Sequence, residues 1–416
     1  MKTTVRIATI LSMIAGCGSS DPRSGAPPLG DTDSGICNAS CGAAGAGGGR
    51  VDGGATSDGP LAEGSISPDL GAVTVVDVPA APCTLTTAIP VTVRETDPSF
   101  ITFNQAGVVG SRRFALDGNT LALLTFDADG AAPSSLARGT LFAAATASDR
   151  LAALWSDGQT LNLQFYDASG MALAARPQLA TGASGAHALA VGPDSLLALW
   201  KSNGELVGRI VTQDGQLAGA FTLGADSCGV VDCAVRAVWN GRGFAIVWSR
   251  VLQDDRTKTS WAHVGTDGNV GFTKPVLQAS GYHRLVDVSL VGSRYALLMG
   301  EGFPTRDTVL VFLDDYGNLL PPARRLLGSG APWAIASRGD ALAVTASLRD
   351  GRAALRPLTA SGESLADWAC LDDSEPNSGF SASAALYLDT VGYGLVVRMA
   401  DGSAAYLRTN EKGMAR

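Results

Sequence analysis

From about residue 95 to the C-terminus one unit recurs seven times, and nothing else in the chain restricts its fold as strongly. Each unit has an apolar strand, a tight turn, a second alternating strand and a polar turn ending in glycine. The apolar strands begin at Phe114, Leu151, Leu196, Phe244, Tyr295, Leu342 and Leu395. Most are apolar on both faces, as expected for strands sandwiched between neighbouring sheets. Trp155, Trp200 and Trp248 recur at one position of this strand and read as core packing. The polar turns start at Asp127, Asp167, Thr212, Gly265, Asp314, Thr359 and Asn410, and their glycines are spaced by 40, 45, 53, 49, 45 and 51 residues. Such a turn suits a type I hairpin whose last residue is left-handed. The spacing fits four strands of ordinary length.

Each apolar strand follows another extended stretch, such as His187–Val191 or Val286–Leu290, and most polar turns precede a fourth strand, such as Leu217–Leu223. Seven units of four antiparallel strands predict an all-β, seven-bladed β-propeller over residues 81–416. The last unit ends almost at its turn, while Thr84–Val93 is a spare strand before the first. That N-terminal strand is expected to complete the last blade and close the ring, which removes open sheet edges. Six or eight blades, or two β-sandwiches, are the alternatives.

Residues 18–80 are rich in Gly, Ala, Ser, Asp and Pro with almost no aromatics, a composition that cannot offset its chain entropy by burial. This reads as a disordered tether with an r.m.s. span of roughly 45 Å, long enough to let the folded part stand off from its anchor. Within it, Cys37 and Cys41 form a local disulfide or pair elsewhere; without a histidine or further cysteine beside them they make a poor metal site.

Residues 1–17 have Lys2 and Arg6, then the apolar run Ile7–Ile14, too short to span a bilayer, then Ile14-Ala15-Gly16-Cys17. This resembles the bacterial lipobox. The resemblance implies an exported lipoprotein with diacylglyceryl on Cys17, anchored in the cell envelope. Gly18 and Ser19 in place of acidic residues imply sorting to the outer membrane. The repeats, best seen in Phe244–Gly268, resemble propeller-like repeats in secreted and lipid-anchored proteins of myxobacteria and their relatives. That implies an extracytoplasmic recognition surface and carries no defined activity.

Four features bear on chemistry. No nucleophile elbow, Walker A loop or H-E-x-x-H is present, so no catalytic residue, metal or cofactor is assigned. The Asp-rich turns lack the further ligands that calcium needs and read as turn formers. The net charge of -8, with no run of basic residues, argues against nucleic acid. Cys228 and Cys233 bracket a short loop and are expected to form a disulfide; Cys83 is expected to bridge Cys370. Loops from one blade's fourth strand to the next blade's first gather at a funnel. Aligning the units puts Phe100, His187, Arg236, Tyr282, His283, Trp333 and Phe380 there. The ring either binds a sugar, peptide or protein loop or simply caps the sheets. The chain is expected to be a monomer that binds envelope protein or glycan without catalysis. A propeller hydrolase or lyase, with His187 or His283 beside acids at the axis, is the alternative.

Overall fold

The computed structural model describes residues 89–91, 103–109, 112–117, 121–127, 130–137, 140–147, 149–173, 177–181, 187–224, 227–228, 233–252, 256–302, 307–348, 352–371, 384–388, 392–398 and 404–409. All belong to the compact unit Ser65–Arg416. Cys17, Cys37, Cys41, Cys83, Phe100 and Phe380 lie outside the described residues, and so do residues 1–17 and 18–80, read above as a signal sequence and a tether.

Among the described residues every regular element is a strand. The chain starts with β1 (Ile89–Val91). Blade 1 is β2 (Phe103–Val109), β3 (Arg112–Asp117), β4 (Leu121–Asp127) and β5 (Gly130–Ala137). Blade 2 is β6 (Thr140–Ala147), β7 (Arg150–Ser156), β8 (Thr160–Tyr166) and β9 (Gln178–Thr181). Blade 3 is β10 (His187–Val191), β11 (Ser195–Ser202), β12 (Glu205–Thr212) and β13 (Leu217–Thr222). Blade 4 is β14 (Cys233–Trp239), β15 (Phe244–Val251), β16 (Thr257–Val264) and β17 (Val270–Ala279). Blade 5 contains β18 (His283–Val291), β19 (Arg294–Glu301), β20 (Asp307–Leu313) and the front of β21 (Arg325–Arg338).

β21 serves two sheets. Up to Ser329 it pairs with β20, and from Gly330 it pairs with β22 (Ala341–Leu348). Its rear half therefore opens blade 6, completed by β22, β23 (Ala353–Thr359) and β24 (Ala369–Cys370). Gly330 permits the crossing: its φ is 157°, and a Cβ there would lie 2.1 Å from the Ser347 carbonyl oxygen. A separate loop was the expectation here; the continuous strand replaces it. Blade 7 is β25 (Ala384–Leu388), β26 (Tyr393–Arg398), β27 (Ala404–Arg408) and, as its fourth strand, β1. Ile89 faces Tyr406 and Val91 faces Ala404, antiparallel. The N-terminal strand thus closes the last blade, as the spare strand in the sequence predicted.

The first strands touch in turn: β2 and β6, β6 and β10, β10 and β14, β14 and β18, β18 and β21, β21 and β25, then β25 and β2. Among the described residues this is a closed β-propeller of seven four-stranded units. Antiparallel alternation gives the ring two ends. Connections between strands one and two, and between three and four, lie at the turn end; the other connections lie at the funnel end.

The core lies between blades, which is why the second strands are apolar on both faces. In β15, Phe244, Ile246 and Trp248 pack toward blade 3, while Ala245 and Val247 pack toward blade 5. β19 repeats this: Tyr295, Leu297 and Met299 face blade 4, and Ala296 and Leu298 face blade 6. Trp155, Trp200 and Trp248 are buried, as their repeated position predicted.

At the turn end, Gly170, Gly215, Gly268, Gly317 and Gly362 have φ between 69° and 87°, as the sequence required. Gly317 also lies against the previous blade: a Cβ there would sit 2.7 Å from the Trp261 ring. The polar side chains hold the turns themselves. Asp167 Oδ1 accepts from the Ser169 and Met171 amides, and Asp314 Oδ1 accepts from those of Tyr316 and Asn318. Thr212 and Thr359 do the same through their hydroxyls.

Candidate binding site at the funnel end

Arg236 and Asp287 occupy equivalent places on consecutive inner strands. Arg236 faces Val247 and Asp287 faces Leu298, matching positions of β15 and β19. A bulge between Leu285 and Asp287 sets that register in β18. The two side chains therefore meet at one level, with Arg236 Nε 3.8 Å from Asp287 Oδ1. Asp287 also accepts from its neighbour Val288 N at 2.9 Å and, through Oδ2, from Ile335 N of blade 6 at 3.1 Å. One carboxylate thus links three blades.

Both groups are deep in the ring yet reach water, with side chains 40% and 29% exposed. Burial raises the Asp287 carboxyl pKa, and Arg236 and the two amides only partly offset this. Burial likewise lowers that of Arg236; Asp287 opposes the shift and nearby Arg284 adds to it. The Arg284 side chain is exposed on β18. Among the described residues this part of the inner wall therefore holds two mutually repelling guanidiniums and one carboxylate, a local excess of positive charge on a molecule of net charge -8.

Beside it, Tyr282 and His283 begin blade 5. With Arg250, Thr257 and Arg284 they line a narrow crevice at the seam with blade 4 that has no room for a water. The His283 amide donates to Thr257 Oγ1, which donates to the Gly281 carbonyl. His283 Nε2 lies 3.2 Å from the Ser280 carbonyl and 3.7 Å from Glu301 Oε1. The other carboxylate oxygen of Glu301 is paired with Arg324. Burial lowers the His283 pKa, the Ser280 carbonyl opposes this and Arg324 adds to it, so the imidazole is neutral at pH 7. At 7% exposure the ring braces the mouth from behind.

The other predicted funnel residues divide. His187 opens β10, half-buried and opposite Trp200. Trp333 sits at a bulge in β21 and packs on the cluster between blades 6 and 7 that holds Tyr393 and Leu395, so its ring serves the sheet interface. Cys228 and Cys233 are joined, with Cα atoms 5.3 Å apart. The bridge pins the passage into β14, where Cys228 N also bonds the Gly204 carbonyl and Ser227 Oγ accepts from Leu206 N. Cys370 is disulfide-bonded; its expected partner Cys83 lies outside the described residues.

Sequence reasoning missed Asp287, Arg284, Glu301 and Arg324. A signal existed for the first: an aspartate inside the apolar strand Val286–Leu290 is out of place unless paired. Among the described residues no group of three or more His, Cys, Asp or Glu side chains is placed to hold a metal ion.

No family model and no curated protein matches this chain. Solved structures do. The chain is similar to one in the crystal structure of the Mitotic Checkpoint Complex, at 14% identity over 79% of this chain and 93% of that one, TM-score 0.49. It is similar to the Dos1 propeller at 10% identity, covering 79% and 87%, TM-score 0.48. It is similar to the β-propeller domain of the Trilobed protease from Pyrococcus furiosus at 8%, covering 74% and 95%, TM-score 0.48. Likeness of this degree transfers no activity, ligand or partner.

Proposed function

We propose that this protein is an exported envelope lipoprotein whose propeller binds an acidic ligand, carried on an envelope protein or glycan, at the funnel end. The reading of export and anchoring rests on the Lys2–Cys17 segment. The reading of binding rests on one observation: Arg236 and Arg284 lie together on the inner strands of blades 4 and 5, with Asp287 as the acidic group beside Arg236. Guanidinium pairs recognise planar carboxylates bidentately, which suits acidic side chains and uronates alike.

Binding of acidic and neutral polysaccharides and peptides to the purified propeller tests this. Acidic ligands should bind, weaken with salt, and lose about tenfold or more on Arg284→Ala. Equal binding of neutral ligands, or indifference to both arginines, refutes it. A second reading, a polysaccharide hydrolase or lyase, is favoured by the approach of His283 to Glu301. Release of new sugar ends, abolished by Glu301→Gln, would establish it in place of the first.

A further inference from the structure

Blades 6 and 7 carry the two shortest outer strands among the described residues, and these blades are neighbours. β24 is the pair Ala369–Cys370 and β1 is three residues, Ile89–Val91, whereas β13 has six and β17 ten. The middle residue of β1 is Pro90, which has no N–H to give to the ladder. A strand held by so few hydrogen bonds opens easily. Yet β1 is the strand that closes the ring.

A covalent bond lies at the same place. The chain has seven cysteines. Cys228 and Cys233 are joined to each other, and Cys370 is disulfide-bonded. The four that are left, Cys17, Cys37, Cys41 and Cys83, all precede β1. Whichever of them it holds, Cys370 is tied to the chain in front of the closing strand. Cys370 is fully buried and pairs with Ala354 of β23. The next residue, Leu371, packs with Tyr393 and Leu395 of blade 7. One end of the bond thus sits at the seam of blades 6 and 7, beside the blade that β1 completes.

We propose that Cys83 is the partner and that the bond is a clasp: the blades form from their own strands, and β1 stays seated only once Cys83 and Cys370 are joined. Cys83 stands six residues before Ile89, nearer than any other candidate. That leaves roughly 20 Å of extended chain between clasp and strand, so β1 is held beside β27 even when its hydrogen bonds break. The oxidant is a second disulfide, that of an oxidase protein or of oxidised glutathione. One cysteine thiolate attacks it and releases a thiol; the other thiolate then breaks the mixed disulfide and releases the second thiol. Two electrons and two protons pass from the cysteine pair to that disulfide. The ring is therefore completed in an oxidising compartment, which accords with the export reading above. The bond itself needs no lipid on Cys17.

Peptide mapping without reductant and hydrogen exchange test this on the full chain carrying Cys17→Ser. Mapping should join Cys83 to Cys370. Exchange is then compared in chains where Cys37→Ser and Cys41→Ser keep either from standing in. In the Ala404–Arg408 peptide it should quicken about tenfold or more in Cys83→Ser, in Cys370→Ser and equally in the variant with both changes. It should not move there when Cys228 and Cys233 are replaced, and blades 3 and 4 should exchange as in the wild type whenever the clasp is cut. Cys83→Ser leaves the buried Cys370 in place, so it reports on the clasp even where Cys370→Ser disturbs blade 6. Cys370 joined to a cysteine other than Cys83, a β27 indifferent to the clasp, or a rise spread evenly over all blades overturns the proposal. Labelled palmitate that enters the wild type and Cys17→Ala alike, or neither, defeats the lipoprotein reading alone.

Discussion

The two ends of the ring are built on different terms. At the turn end, blades repeat one another. Each described polar turn closes on its own amide and hydroxyl groups, and from blade 4 on its glycine abuts the preceding blade: Gly268 on Gly219, Gly317 on Trp261, Gly362 on Phe312. The seam of blades 4 and 5 is tied there by Asn240 donating to the Tyr295 hydroxyl at 2.8 Å and Arg242 pairing with Asp315 at 3.2 Å. At the funnel end the described blades differ from one another. Blade 3 has a disulfide-pinned loop, blade 5 a buried His–Glu–Arg cluster, and blades 5 and 6 share one strand. Regular turns carry stability, and irregular connections leave room for specificity.

The sharpest way to break that contrast is to empty the turn-end packing. Trp261 is fully buried, centroid to centroid 5.0 Å from Phe272 and 6.2 Å from Tyr295. Trp261→Ala should cost about 3–5 kcal/mol in equilibrium denaturation; a cost below about 1 kcal/mol would show that the seam does not depend on the ring. Next comes the funnel-end disulfide. Replacing Cys228 and Cys233 together by alanine should cost about 2 kcal/mol, because the loop it closes is short. Urea midpoints of the oxidised wild type and the double variant measure this. Smaller in stability is Arg284→Ala, expected to shift unfolding by no more than about 0.5 kcal/mol while ligand binding collapses. A large loss of stability would move Arg284 from the functional side of the comparison to the structural one.

The smallest effect separates the two ends by sign. Hydrogen bonds from the Ser169 side chain and the Met171 amide hold Asp167 below the ordinary carboxylate value. Its contribution is present above the unfolded value, near 3.8, and is lost as pH falls through the folded one. Asp287 is shifted upward by burial, so its charged form is penalised and acid relieves that penalty as pH drops through its raised pKa. Acid unfolding curves should therefore flatten for Asp167→Asn and steepen for Asp287→Asn, with Asp167→Asn slightly less stable than the wild type at pH 7 and equal to it in strong acid. Slopes moving the same way in both variants would contradict the assignment.

Much of this fold was legible because a repeat shows its constraints several times over. Gly-ended turns at regular spacing located the outer hairpins, and strands apolar on both faces told of sheets packed against sheets. The spare strand before the first unit foretold β1 on β27. The candidate site was legible only in part. Arg236 and His283 were picked out by alignment to the funnel junctions, and Asp287, which partners one of them, was not. A bulge at Val286 moves that aspartate into register with Arg236, and a bulge depends on how two strands pair. Trp333, picked out by the same alignment, packs against the cluster between blades 6 and 7, the capping role the sequence left open beside ligand contact.

Hydrophobic period, turn chemistry and repeat length determined the architecture by themselves, because each is a local rule that every unit obeys independently. Which charges meet at the axis and which glycine abuts a neighbouring ring were decided only in three dimensions. Those facts relate residues on different blades, and their separation is set by register, bulges and closure, none of which is written in any one unit.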